Sequence, residues 1–96
     1  MISREDFIFT IGFEGSTAVV DGKARREFGK LPTMKLAEKG LYRAAFSSAL
    51  YSGNADEMKA FIDFFNAKAG TTYIEAIQLS RLFGVYKEEV SKTLVL

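Results

Sequence analysis

Hydroxyl and carboxylate side chains are the groups that could do chemistry in this 96-residue sequence, because it contains no His and no Cys. A serine nucleophile normally needs a neighbouring base, so Ser47 and Ser48 are interpreted as small packing residues of a helix. Asp56, Glu57 and Asp63 suit the start and the solvent side of a helix, and their spacing matches no metal site. The sequence therefore predicts no enzyme, no cofactor and no bound metal.

Two short helices joined by a tight turn are the structure that we predict for residues 75–94. Gly84 accepts the positive φ of such a turn, and Ser80 is small enough for two helix backbones to touch beside it. Val85 and Val90 supply apolar contacts on either side. The run resembles the helix-turn-helix motif of bacterial transcription regulators, most closely the Gly-Val-x-x-x-x-Val-Ser-[Lys/Arg] stretch of repressors.

The resemblance implies that residues 86–94 form a recognition helix in the major groove of double-stranded DNA, with the preceding helix at the phosphate backbone. It also implies a homodimer, which would place two recognition helices one helical turn apart. A pair of packed helices that bind no DNA is the alternative, because residues 75–94 contain three basic and three acidic residues. The residues implied to bind nucleic acid are Arg81, Lys87, Ser91 and Lys92.

Alternating apolar residues predict an N-terminal β-hairpin over residues 6–21. The apolar side of its first strand is expected to face the helices. Glu14-Gly15 fits a two-residue turn, which explains residues 12–17 better than a phosphate-binding loop, since such a loop needs a Lys and a following helix. Residues 93–96 are a candidate third strand. The residues of the apolar side are Phe7, Phe9, Ile11 and Phe13.

Apolar residues at helical spacing predict a bundle of helices after the hairpin. One helix begins near Met34, a buried helix covers residues 41–51, and a third runs over residues 55–68 between an Asn54 N-cap and Gly70.

These elements together predict an α+β fold class. An N-terminal β-hairpin packs on a bundle of four or five helices, and the last two helices have the helix-turn-helix arrangement. The length predicts a single domain over residues 1–96. The structure of residues 23–30 stays open between a short helix and a strand.

A basic segment and an aromatic cluster are two further candidate surfaces. Residues 23–43 contain seven basic residues against Glu27 and Glu38, a pattern that attracts acidic partners but more often marks a solvated face. The aromatic cluster spans more than one helix face, so it is either a wide buried face or the anchor of a dimer interface. Its members are Phe61, Phe64 and Phe65.

The composition is typical of a globular protein, with 48% hydrophobic and 26% charged residues and a net charge of +1. No segment has the length of a membrane span or the shape of a signal peptide, so we expect a cytoplasmic protein without a membrane partner. The leading functional hypothesis is a small DNA-binding or regulatory protein. The alternative is a protein–protein interaction or scaffold domain that binds no nucleic acid.

Overall fold

The computed structural model describes residues 2–87 and 90–96. These residues form two compact units, which we call the sheet unit (residues 2–31 and 90–96) and the helical unit (Pro32–Lys87). An N-terminal hairpin followed by helices is present, so the predicted α+β class is confirmed. The single domain over residues 1–96 stays a prediction.

Five elements make up the sheet unit. They are α1 (Arg4–Ile8), β1 (Thr10–Glu14), β2 (Thr17–Val20), α2 (Gly22–Phe28) and β3 (Lys92–Val95). The central strand β2 pairs antiparallel with β1 and parallel with β3. The suggestion that residues 93–96 supply a third strand is therefore confirmed.

The hairpin turns one residue later than predicted. Glu14 and Thr17 are the last Cα partners of β1 and β2, so the loop residues are Gly15 and Ser16. Gly15 has a φ of 62° and is the only one of the two with a positive φ. A positive φ at the first loop residue alone is the pattern of a type II′ turn, which favours glycine there.

The first strand also begins later than predicted, because residues 4–8 are helical. The Ser3 side chain accepts a hydrogen bond from the Asp6 backbone N–H and caps α1. Glu5 and Asp6 place negative charge in the first turn, which the helix dipole favours. Phe7 consequently belongs to a helix.

The expectation that one apolar side of β1 faces the helices is wrong for its outer half. Phe7 and Phe9 are buried, but Ile11 is 57% exposed and Phe13 is 43% exposed. The register shifts between Thr10 and Gly12, so that two residues of β1 oppose one residue of β2. Such a bulge breaks the period of two on which the expectation rested.

Residues 23–30, for which the sequence left a short helix and a strand open, lie largely in the helix α2. The Asp21 carboxylate caps it by accepting from the Ala24 backbone N–H at 3.1 Å. Gly22, the first residue of α2, lies against the end of β3. A Cβ at Gly22 would lie 2.4 Å from the Leu96 carbonyl oxygen and 2.8 Å from Val95 Cγ1, so only glycine fits.

Four helices form the helical unit: α3 (Thr33–Glu38), α4 (Tyr42–Ser52), α5 (Ala55–Ala69) and α6 (Ala76–Phe83). Asn54 caps α5 by accepting from the Glu57 backbone N–H, and Gly70 ends that helix with a φ of 69°, both as predicted. The core side chains of this unit come from all four helices, and the largest fully buried ones are Leu36, Phe46, Phe61 and Leu79.

The C-terminal run departs from the predicted helix-turn-helix. Gly84 ends α6 with a φ of 69°, and the Ser80 carbonyl accepts hydrogen bonds from the backbone N–H groups of Gly84 and Val85. No second helix follows in the described residues: 85–87 and 90–91 have no regular structure, and Lys92–Val95 is β3. Glu88 and Glu89, which the predicted helix also includes, lie outside the described residues.

The predicted recognition helix is therefore wrong over residues 92–94. The physical reason is that Thr93 and Val95 are β-branched and that β2 offers a free edge for hydrogen bonding. The hydrogen bond from the Leu96 N–H to the Val20 carbonyl, at 3.0 Å, continues the parallel pairing past the end of β3.

Candidate interaction surface

The four candidate nucleic-acid-binding residues lie on different elements. Arg81 is exposed on α6 and Lys87 is exposed in the irregular segment after it, both in the helical unit. Ser91 and Lys92 belong to the sheet unit, just before β3 and at its first residue. No described helix carries more than one of them, so their role at DNA stays a prediction.

Ser91 already has a structural role in the sheet unit. Its backbone N–H donates to the Ser16 carbonyl at 3.0 Å, and the two hydroxyl oxygens lie 2.6 Å apart. These two hydrogen bonds tie the hairpin loop to the start of β3. The hydroxyl of Ser91 is consequently engaged within the sheet unit.

The aromatic cluster is largely explained by the core of the helical unit. Phe61 is fully buried and Phe65 is 8% exposed. Their rings lie 5.9 Å apart, and Phe83 on α6 meets Phe65 edge-on with centroids 5.4 Å apart. Contacts of this kind stabilise a core beyond the area that they bury. Of the two alternatives, a wide buried face or a dimer interface, Phe61 and Phe65 therefore belong to the buried face.

Phe64 occupies the flank of that buried face. It is half-buried, and the Lys68 ammonium lies 5.6 Å from the centre of its ring. A cation at that distance is attracted by the ring face. Phe64 is thus the member of the aromatic cluster that reaches solvent.

Three polar side chains join α3, α4 and α5 inside the helical unit. The Thr33 hydroxyl donates to the Glu57 carboxylate, and its oxygen lies 2.7 Å from the Ser48 hydroxyl oxygen. Thr33 has one hydroxyl proton, so Ser48 is the donor in the second hydrogen bond. Thr33 and Ser48 are buried, so this chain of hydrogen bonds joins the three helices inside the core of the unit.

The basic segment over residues 23–43 is divided between the sheet unit and the helical unit, and at least two of its seven basic side chains form ion pairs with carboxylates. Arg25 pairs with Asp6 at 2.5 Å, and Lys35 pairs with Glu38 at 3.3 Å. Burial lowers the pKa of Arg43, whose Nε donates to the Phe83 carbonyl at 3.4 Å. Internal pairing of this kind supports the interpretation of the segment as a solvated face.

One side of the three-stranded sheet is buried along its central strand. Ala18 and Val20 of β2 have no exposed surface and Thr10, the partner of Val20, is 3% exposed, whereas Phe13 and Val95 on the same side are 43% and 39% exposed. The Thr10 hydroxyl donates to the Asp6 carbonyl of α1 at 2.7 Å, and α1 also contacts β2. Successive side chains of a strand alternate between faces, so the residues between these point the other way.

The other side of the sheet, which we call the open face, is lined by two rows of side chains. The apolar row runs across the strands through Gly12, Val19 and Leu94, and the polar row runs through Glu14, Thr17 and Lys92. Leu94 is 52% exposed, and its neighbour in the row, Val19, is half-buried. A sheet face in contact with water normally carries polar side chains.

The open face was not predicted from the sequence. Residues 93–96 were a candidate third strand, but the helix predicted over residues 86–94 overlaps them and left Lys92 and Leu94 without a place in a sheet. The apolar row needs the pairing of β1, β2 and β3 before its members become neighbours.

A second apolar surface lies on the helical unit. A groove between α5 and the start of α6 is lined by apolar side chains together with Lys59 and Asp63. Those two charges pair with each other at 2.8 Å, and this hydrogen bond raises the pKa of Lys59. The apolar residues of the groove include Met58, Ile62, Tyr73 and Ile74.

Within the described residues no group of three or more carboxylates is placed to hold a metal ion. None of the described helices combines the length and the apolar character needed to cross a bilayer. Comparisons of the chain with protein-family models, with curated proteins and with solved structures found no match.

Proposed function

We propose that this protein is a protein–protein interaction domain whose docking surface is the open face of the sheet. The observation that carries the proposal is the exposure of apolar surface on this face: Leu94 is more than half exposed and lies beside Val19 in the apolar row. Grouped apolar side chains on a surface are typical of interaction sites.

A photo-cross-linking residue at position 94 tests the proposal. With the full chain expressed in its native cells, we expect ultraviolet light to join position 94 to a protein, and mass spectrometry then identifies that protein. Ala60, which is exposed on α5, is the matched control position and should give no such product. Absence of any cross-linked protein from position 94 would rule the open face out as a docking surface.

Double-stranded DNA is the second candidate partner, and the observation that favours it is the exposure of Arg81 and Lys87 in the helical unit. An interaction domain without nucleic-acid binding should show no salt-sensitive association with a mixed-sequence duplex at protein concentrations of about 10–50 μM, since ordinary non-specific binders associate in that range. Fluorescence anisotropy at low and moderate salt measures this. Binding that weakens with salt and with Lys87→Ala would restore the DNA hypothesis.

A further inference from the structure

We infer that the partner of the open face is a second copy of this chain, packed face to face about a twofold axis parallel to β2. The inference rests on the proposed function, since it names the partner of the same surface. It is carried by the order of the side chains within the two rows.

The polar row is self-complementary in charge. Glu14 and Lys92 lie in one row on either side of Thr17, so they sit on opposite edges of the sheet. A twofold axis parallel to β2 places β1 of one copy over β3 of the other. Each Glu14 then faces Lys92 of the other copy, which gives two opposite-charge contacts per dimer.

The apolar row is self-complementary in size. Under the same axis Gly12 of one copy faces Leu94 of the other, and the two Val19 side chains meet at the axis. Space is open at Gly12, where an added Cβ would meet no atom within 4 Å. The missing side chain at Gly12 leaves room for the Leu94 side chain of the second copy.

The direction of the axis follows from the same rows. An axis perpendicular to the strands would exchange the rows, so that Lys92 would lie over Leu94 and its charge would face an apolar side chain. The axis parallel to β2 places the polar row of one copy over the polar row of the other, and the apolar row over the apolar row. This geometry is also a common one, because aligned sheets pack with strand directions within about 30°.

The size of the face sets the expected affinity. Three strands at about 4.8 Å spacing and four residues at about 3.3 Å give a patch of roughly 15 Å by 13 Å. Counted on both copies this is roughly 400 Å², the low end of the weak class of interfaces below about 1,200 Å² in total. We therefore expect a weak dimer with a dissociation constant of about 100 μM, which a concentration series resolves.

Charge reversal with sedimentation velocity tests the inference on the full chain. Glu14→Lys alone and Lys92→Glu alone should each weaken self-association at least about tenfold, because both contacts of the dimer become repulsive. An equimolar mixture of these two variants should associate again, since positions 14 and 92 are then both positive in one copy and both negative in the other. The matched control is Lys39→Glu, a reversal at an exposed position of the helical unit, which should leave association unchanged.

A variant outside the polar row provides an independent test of the dimer. Gly12→Val should fold, because the position has open space and no positive φ, yet it should weaken association by filling the site for Leu94. Circular dichroism of every variant verifies the fold.

The outcomes separate this inference from the proposed function. A wild-type chain that stays monomeric at about 500 μM overturns the second copy as partner, and a cross-link from position 94 to a different protein then leaves the interaction domain standing. A dimer that survives Glu14→Lys, Lys92→Glu and Gly12→Val uses another surface, which also overturns the inference. Rescue in the mixture is the result that supports it.

Discussion

Replacement of Phe61 by alanine is expected to lower the free energy of unfolding by about 3–5 kcal/mol, because it empties a fully buried aromatic site. The Phe61 ring contacts Phe46 and Phe65, with centroids 6.0 Å and 5.9 Å away, so a cavity there removes packing from α4 and α5 together. Urea denaturation followed by far-UV circular dichroism measures the change, since the chain has no Trp. A loss of this size is a large share of the stability of a small protein.

Phe64→Ala is the matched control, because it removes the same side chain from the same helix at a half-buried position. We expect a loss of about 1 kcal/mol or less, including the contact with Lys68. Equal losses for the two variants would mean that Phe61 does not lie in the core described above.

Gly22→Ala should lower the free energy of unfolding by about 2–3 kcal/mol, through overpacking against the end of β3. The sign of the effect is informative, because alanine is a better helix former than glycine by about 1 kcal/mol. Helix propensity alone would therefore make the variant more stable. The clash with the Leu96 carbonyl oxygen is with backbone, so a side-chain rotation cannot relieve it.

Gly12→Ala is the control for the loss of glycine in the sheet unit. Its Cβ meets no neighbour within 4 Å, so we expect a change within about 0.5 kcal/mol. A stabilised Gly22→Ala variant would contradict the close approach of α2 and β3.

Elements set by local signals were predictable from the sequence. Asn54 and Gly70 enclose α5 as expected, because a capping side chain and a glycine with positive φ act within a few residues of each other. The class of the fold followed from the same local patterns. Ser3 was an equally local signal for α1, but it was not used, because the alternation of the following aromatic residues was interpreted as a strand.

Elements that depend on distant partners were not predictable in the same way. Residues 92–95 become a strand by pairing with β2, whereas their own spacing also suited a helix. The open face required more still: the pairing of all three strands, the bulge in β1, and the choice of the side that is buried along β2. None of these three features can be predicted from a single segment of the chain.

The pairing of β2 with β3 also constrains the order in which the protein folds. The two hydroxyl groups that tie the hairpin loop to β3 are separated by 75 residues of chain. Closing so long a loop costs entropy before any contact is gained, and parallel non-local pairing is intrinsically slow. The segment Pro32–Lys87 makes its own contacts and has no such delay.

During synthesis the β1–β2 hairpin is made first and the strand that completes its sheet is made after the whole helical unit. A two-stranded hairpin is marginal by itself, and in that interval β2 presents an unpaired edge to other chains. The nascent protein is therefore most prone to aggregate after its helices have formed and before residues 92–95 emerge from the ribosome.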